Sequence, residues 1–161
     1  MTTEELIIHQ LTERNISLAT AESCTGGLIA HRLTNVPGSS AVFLGGIVAY
    51  SNELKKKLLG VPEHLLVEYG AVSEPVAKEM ALGVCKHLGS MLGIGVTGIA
   101  GPGGGTLTKP VGLVYIGIAS YELGQCHVYE FRFSGSRLEI KQQTADNALN
   151  LIINTLKLLK K

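Results

Sequence analysis

The chain is short of several things, and each shortage removes a class of function. It has no tryptophan, and aromatics are 5% of its 161 residues, so it offers few platforms for stacking nucleic-acid bases. Its formal net charge is +1 and no basic stripe runs along it, which argues against nucleic acid as a partner. Asp146 is the only aspartate. A Ser-His-Asp triad would have to use that residue, deep in a helical pattern, or a glutamate. Metal sites built from several aspartates are disfavoured too. The three cysteines, Cys24, Cys85 and Cys126, show no CxxC spacing. Neither a disulfide framework nor a zinc site is expected, and a reducing cytoplasm fits. The five histidines, His9, His31, His64, His87 and His127, show no HxH or HExxH spacing, so a site with neither a metal nor a histidine base is expected. No apolar run reaches the roughly 18 residues of a membrane span, and the acidic, periodic opening MTTEELIIHQ is unlike a signal peptide. Charged residues are only 17%, against 45% hydrophobic. That balance predicts one well-packed domain over residues 1–161, with apolar surface that suits a homo-oligomer.

What is present alternates between helix and strand. TTEELIIHQLTERN carries a capping box from Thr2 to Glu5 and an apolar face at Leu6, Ile7 and Leu11, so it predicts a helix. ISLATA reads as a short strand, and residues 25–33 as a helix stopped by NVPG. AVFLGGIVAY is a strand in which Gly45 and Gly46 mark a bulge or a close approach. SNELKKKLLG predicts a helix capped by Ser51 or Asn52 and closed by Gly60. SEPVAKEMALGVCKHLG predicts another, with Ser73 as cap, Pro75 in the first turn and Gly89 at the end. MLGIGVTG is a buried strand. VGLVYIGIAS and CHVYEFRF, joined by YELGQ, predict an antiparallel hairpin with one wetter face. A second capping box, Ser136 to Glu139, opens the last helix, whose terminal lysines suit a helix C-terminus. The fold class is α/β: three α/β/α layers around a mixed central sheet.

Three stretches carry candidate chemistry. In TAESCTGG, Ser23 sits where a small-residue strand hands over to a helix, at the sheet edge where α/β proteins bind ligands. The N–H groups near Cys24 to Gly26 can face a developing oxyanion, and Gly26 and Gly27 permit close approach. Cys24 is a rival nucleophile, since a thiol at a helix start can have a lowered pKa. A third reading is that Ser23 or Thr25 merely caps the helix. The stretch is not GxSxG, so it is not an α/β-hydrolase elbow. In YSNELKKK, Tyr50 ends a strand and Lys55 lies about a turn into the next helix. Either could activate Ser23 if that strand neighbours the first, and at most one of Lys55, Lys56 and Lys57 should be buried. In VTGIAGPGGGTLTKP, a Gly-rich loop after a buried strand exposes N–H groups that suit a phosphate, or is simply flexible. Arg137, opening the last helix, can pair with a phosphate.

Together AESCTGG, GGIVAYSNELKKKLLGV, GAVSEPVAKEMA, VTGIAGPGGGTLTKPVGLVYIGIA and FSGSRLEIKQQTADNAL resemble the CinA C-terminal domain, the nicotinamide-nucleotide amidohydrolase family. The five motifs fall in order over nearly the whole chain, which is similar to the family's stand-alone form; longer members carry an extra N-terminal domain. The resemblance implies a metal-independent, cofactor-free hydrolysis of nicotinamide mononucleotide to nicotinate mononucleotide and ammonia. It implies Ser23 as nucleophile, Tyr50 and Lys55 as its activating partners, and Thr97 and Arg137 as further site residues. Beside these, Cys24, Thr25, Gly26, Gly98, Gly101 and Gly103 are expected to contact substrate. Leu54 replaces the family's usual alanine, and Lys141 supplies its second basic residue after Arg137. The competing class is a non-catalytic nucleotide-binding module associated with competence, or an amidase of another substrate.

Overall fold

A computed structural model of the chain describes residues 1–159. Helix α1 (Thr3–Arg14) leads into strand β1 (Leu18–Glu22), helix α2 (Leu28–Thr34), a 3-10 turn (Ser39–Ala41) and strand β2 (Phe43–Val48). Helices α3 (Asn52–Leu59), α4 (Glu63–Tyr69) and α5 (Glu74–Leu88) precede strand β3 (Leu92–Gly98). The hairpin β4 (Leu113–Ser120) and β5 (Gln125–Arg132) and the long helix α6 (Arg137–Leu158) complete the chain. The sheet order is β2-β1-β3-β4-β5, with β2, β1 and β3 parallel and β4 and β5 antiparallel. The expected three-layer α/β/α architecture with a mixed sheet is therefore the observed one. No helix among the described residues is long and apolar enough to cross a membrane.

Side-chain alternation along β1 divides the core. Leu18 joins Ile29, Leu33, Leu92, Ile94, Val96 and α6 on one face. Ala19 and Ala21 join Leu59, Val76, Met80 and Val84 of α3 and α5 on the other. Successive strand residues point to opposite faces, so this parity also sets where the residues after β1 go. The β1–β2 crossover runs through α2 on the α1 and α6 side, whereas the β2–β3 crossover runs through α3 to α5 on the opposite side. The chain thus leaves the C-terminal ends of β1 and β3 toward opposite faces. A crevice opens between them, at the topological switch point.

Both capping boxes form: Thr2 with Glu5, and Ser136 with Glu139. Ser51 caps α3 and Gly60 closes it in the left-handed region. Ser73 stands at the start of α5 but caps nothing, because its hydroxyl donates to the Gly70 carbonyl. Both readings of the β2 glycines hold. The β1–β2 register shifts between Leu18 and Ala19, while a Cβ on Gly46 would lie 2.5 Å from Thr20 Oγ1. Helix α4 and the 3-10 turn carried no sequence expectation. The terminal Lys160 and Lys161, expected to end α6, lie outside the described residues.

Helix α5 can lie this close to the sheet because small residues leave it room. A Cβ on Gly95 would sit 2.5 Å from Ala81 N and 2.6 Å from Ala77 O, and one on Gly117 would sit 2.9 Å from Ala77 O. Overpacking such a contact costs about 1–3 kcal/mol. Gly95→Ala is therefore expected to lower the Tm clearly in a thermal melt. Gly103→Ala, where no atom lies within 4 Å of the added carbon, should leave it nearly unchanged.

Candidate active site

The crevice at the β1 and β3 ends is a cleft of about 270 Å³. Its walls include Ser23, Tyr50, Lys55, Thr97, Gly101 and Arg137. Ser23 follows β1 directly, and its N–H extends the sheet ladder by donating to Val96 O at 3.0 Å. Strand parity therefore still governs its side chain. Glu22 points to the α2 face, Ser23 to the α3 face, and Cys24 back into the core shared with Ile29 and Leu33. That parity separates the two rival nucleophiles. Cys24 forms part of the cleft wall, but burial pushes its thiol up to about 12. It is a poor source of thiolate at neutral pH.

Lys55 is 1% exposed, and it is the only lysine of Lys55, Lys56 and Lys57 to be buried. Lys56 instead pairs with Glu53 and Glu63 at the surface. The Lys55 Nζ lies 3.0 Å from Ser23 Oγ, 3.0 Å from Ala49 O and 3.5 Å from Tyr50 O. No carboxylate forms an ion pair with it among the described residues. Burial lowers its pKa from the ordinary 10.5, because desolvation disfavours the ammonium. As an ammonium it can donate to all three oxygens; once it loses a proton, two carbonyls can still take its two N–H donors while a lone pair becomes free for the serine hydroxyl. Lys55 reaches this place because β2 lies beside β1 and Ser51 fixes the start of α3, accepting from Leu54 N at 3.2 Å.

Tyr50 is arranged differently from the expectation. Its backbone carbonyl faces Lys55, but its hydroxyl accepts from Arg137 Nη2 at 2.9 Å and makes no bond to Ser23. Arg137 Nη1 donates to Gly101 O at 2.6 Å. The guanidinium thus ties Tyr50 to the Gly-rich loop, and it forms no ion pair among the described residues. Thr97 lines the cleft but donates its hydroxyl to Ala71 O at 2.8 Å, fastening the segment before α5 to the end of β3. Gly98, Gly101 and Gly103, the glycines expected to contact substrate, line the cleft, and Gly104, Ile99 and Asn52 do so without having been anticipated. The loop is closed at its neck by Ile99 N to Leu113 O (2.9 Å) and Gly112 N to Ile99 O (2.7 Å). Among the described residues, the N–H groups of Gly101, Gly103 and Gly104 donate to nothing.

The helix after TAESCTGG begins three residues later than expected. Residues 23–27 form turns, and α2 starts at Leu28 behind Gly27, whose φ is +99°. Neither Ser23 nor Thr25 caps it. The cap is the carboxylate of Glu22, 1% exposed, which accepts from Ile29 N at 2.9 Å, Ala30 N at 3.0 Å and Thr25 Oγ1 at 2.7 Å. Thr25 therefore turns away from the cleft, and Gly26 does not line it either. Gly26 N is bonded to Ser23 O at 3.1 Å. Among the described residues, the N–H groups of Cys24, Thr25 and Gly27 donate to no oxygen; the first two, which follow Ser23 directly, are the turn's candidate donors for an oxyanion.

The fold and site together define an α/β protein with a buried serine–lysine pair at the switch point of its sheet. Known proteins share that fold. The model of the CinA C-terminal domain matches residues 1–156, and the chain belongs to this family. It is 56% identical over 149 residues to a competence-damage inducible protein of Caldicellulosiruptor bescii, covering 92% of this chain and 36% of that one. It is 52% identical over 149 residues to a CinA-like protein of Dictyoglomus turgidum, with the same coverages. The chain thus spans about a third of the length of these curated relatives. Among solved structures it superposes on the competence/damage inducible protein CihA of Agrobacterium tumefaciens with a TM-score of 0.92 at 42% identity, covering 96% of this chain and 93% of that one. It superposes on the competence damage-inducible protein A of Klebsiella pneumoniae with a TM-score of 0.93 at 31% identity, covering 99% and 100%.

The lowered Lys55 pKa has a consequence for stability. The unfolded chain keeps this proton up to about 10.5, whereas the folded chain releases it earlier. Between the two values the unfolded state binds more protons, so stability rises with pH across that window. Below the folded pKa the cost of the buried ammonium is fully present. Wild type is therefore expected to gain Tm relative to Lys55→Met as pH is raised toward 10.5, a trend that paired melts over a pH series measure. A constant difference would contradict the depressed pKa.

Proposed function

We propose that this chain is a metal-independent amidase that hydrolyses the carboxamide of nicotinamide mononucleotide through an acyl-enzyme on Ser23. The observation that carries the reading is the buried Lys55 amine 3.0 Å from Ser23 Oγ. A serine hydroxyl is a weak nucleophile until a base takes its proton. A lysine kept neutral by burial does this without histidine, aspartate or metal.

In the proposed sequence, Ser23 Oγ attacks the carboxamide carbon while its proton passes to Lys55 Nζ. The carbonyl oxygen becomes an oxyanion held by the Cys24 and Thr25 N–H groups, an electrostatic contribution that grows only in the transition state. The intermediate collapses as Lys55 returns its proton to the departing nitrogen, and ammonia leaves. Lys55 then takes a proton from water, which attacks the ester carbonyl. Ser23 is regenerated and the carboxylate product departs. Arg137 and the N–H groups of Gly101, Gly103 and Gly104 are proposed to bind the 5′-phosphate, so that remote contacts orient the amide. The phosphate would compete with the Gly101 carbonyl and the Tyr50 hydroxyl for the guanidinium, which assigns Tyr50 to aligning Arg137 rather than to deprotonating Ser23. The proposed setting is the cytoplasm, where three free thiols are stable, and a homo-oligomer remains part of the proposal.

Ammonia release from nicotinamide mononucleotide, measured with and without a chelator, tests the reading. Equal release in both is expected. Ser23→Ala should lower the rate by about 10⁴-fold or more, and Cys24→Ala should keep most of it. Loss of activity only with the chelator overturns the metal-free mechanism. No release from any amide, with the nucleotide still bound, favours the non-catalytic module. Below saturation the rate should rise with pH along a single ionisation lying below the ordinary lysine range, as Lys55 loses its proton.

A further inference from the structure

Glu22 is a buried acid that the mechanism above does not use. A carboxylate 1% exposed is costly unless its lone pairs are filled. Here they are, by Thr25 Oγ1, Ile29 N and Ala30 N. The last two are among the orphan donors at the start of a helix, which usually bind the residue immediately before it. At α2 that place is held by Gly27, which has no side chain to offer. The carboxylate comes instead from across the turn, so that residues 22 to 30 form a closed ring of chain with Ser23 inside it. The main chain of Glu22 is equally engaged. It pairs with Val48 and Val96 in the sheet, and its carbonyl accepts from Ala49 N at 2.9 Å. Ala49 O in turn accepts from Lys55 Nζ at 3.0 Å. One residue therefore abuts the nucleophile directly and holds the residue that holds its base.

We propose that Glu22 is the positioning residue of the dyad: its buried carboxylate clamps the turn so that Ser23 Oγ stays in line with Lys55 and the Cys24 and Thr25 N–H groups keep their aim. A second consequence follows for anions. The positive end of α2 is neutralised by Glu22, so substrate phosphate is excluded from that helix start and directed to the Arg137 side of the cleft. The inference rests on the serine–lysine reading but not on the identity of the substrate.

Glu22→Gln is the sharp probe, because it keeps the volume and removes one acceptor. Whichever way the amide turns, its NH₂ faces a backbone N–H of Ile29 or Ala30 that it cannot accept. Displacement of reacting groups by about 1 Å costs about 10²-fold in rate. Two readouts separate the outcomes: the rate at which a fluorophosphonate labels Ser23, counted per folded molecule, and kcat and KM for ammonia release. Expected for Glu22→Gln are a fall of about 10²-fold in labelling rate and in kcat, a nearly unchanged KM, and an unmoved ionisation in the pH–rate curve. Thr25→Val, which removes one partner of the carboxylate and orphans no backbone group, should fall less, with Thr25→Ser restoring the rate. If Glu22→Gln does not fold, Thr25→Val and Thr25→Ser decide alone. Wild-type labelling rates in folded Glu22→Gln, or in Thr25→Val, would overturn the proposal and leave Glu22 as a helix cap only. A wild type that labels at Ser23 but releases no ammonia counts against the substrate, and the labelling rates still decide Glu22.

Discussion

The rest of the site depends on one constraint: an amine is buried against a serine hydroxyl with, among the described residues, no carboxylate paired to it. Among the described residues, Lys55 is held there by two carbonyls and by packing, and by no ion pair. Burial without a counter-charge lowers its pKa. The same desolvation that makes Lys55 a candidate base makes it a local liability for stability, as is common where function sets the chemistry. The surrounding structure is arranged to keep this amine dry and aimed.

The sheet supplies the aim. Because β1 lies between β2 and β3, its last residue is flanked on one side by the strand that leads to α3 and on the other by the strand that leads to the Gly-rich loop. Ser23, Lys55 and the Gly-rich loop therefore meet at one edge without any of them leaving its own element by more than a few residues. Strand parity then sorts three consecutive side chains. Glu22 goes to the helix cap, Ser23 to the lysine and Cys24 to the core. A one-residue shift of register would put Cys24 where Ser23 is, and a shift the other way would put the acid there, against the amine. The long loop stays close to the site because its neck is closed by hydrogen bonds at Ile99 and Gly112, and because Arg137 holds Gly101.

Much of this was legible in the sequence, and the reasons are physical. Capping boxes, left-handed glycines and alternating apolar runs are local signals, so Thr2–Glu5, Gly60, Gly89, Ser136–Glu139 and the β4–β5 hairpin could be placed from spacing alone. The union of AESCTGG with YSNELK was legible only on the condition that β2 neighbours β1, a non-local fact that the fold supplies. What the sequence hid was direction. Nothing local told that the Tyr50 hydroxyl would turn to Arg137 rather than to Ser23. Nor could spacing reveal that Thr25 would serve Glu22 rather than the cleft. Glu22 itself carried no recognisable signal, because a cap seven residues upstream of the N–H it accepts has no sequence rule; it is visible only once β1 and α2 are folded against each other.

The central claim is that Ser23 carries the acyl group. Its most direct test is intact-protein and peptide mass spectrometry of enzyme quenched in acid during turnover of nicotinamide mononucleotide. The account predicts a covalent adduct with the mass of the nicotinate mononucleotide acyl group, located on Ser23 and absent from Ser23→Ala. An adduct on Cys24, or turnover with no adduct in samples quenched before the first cycle ends, would contradict it.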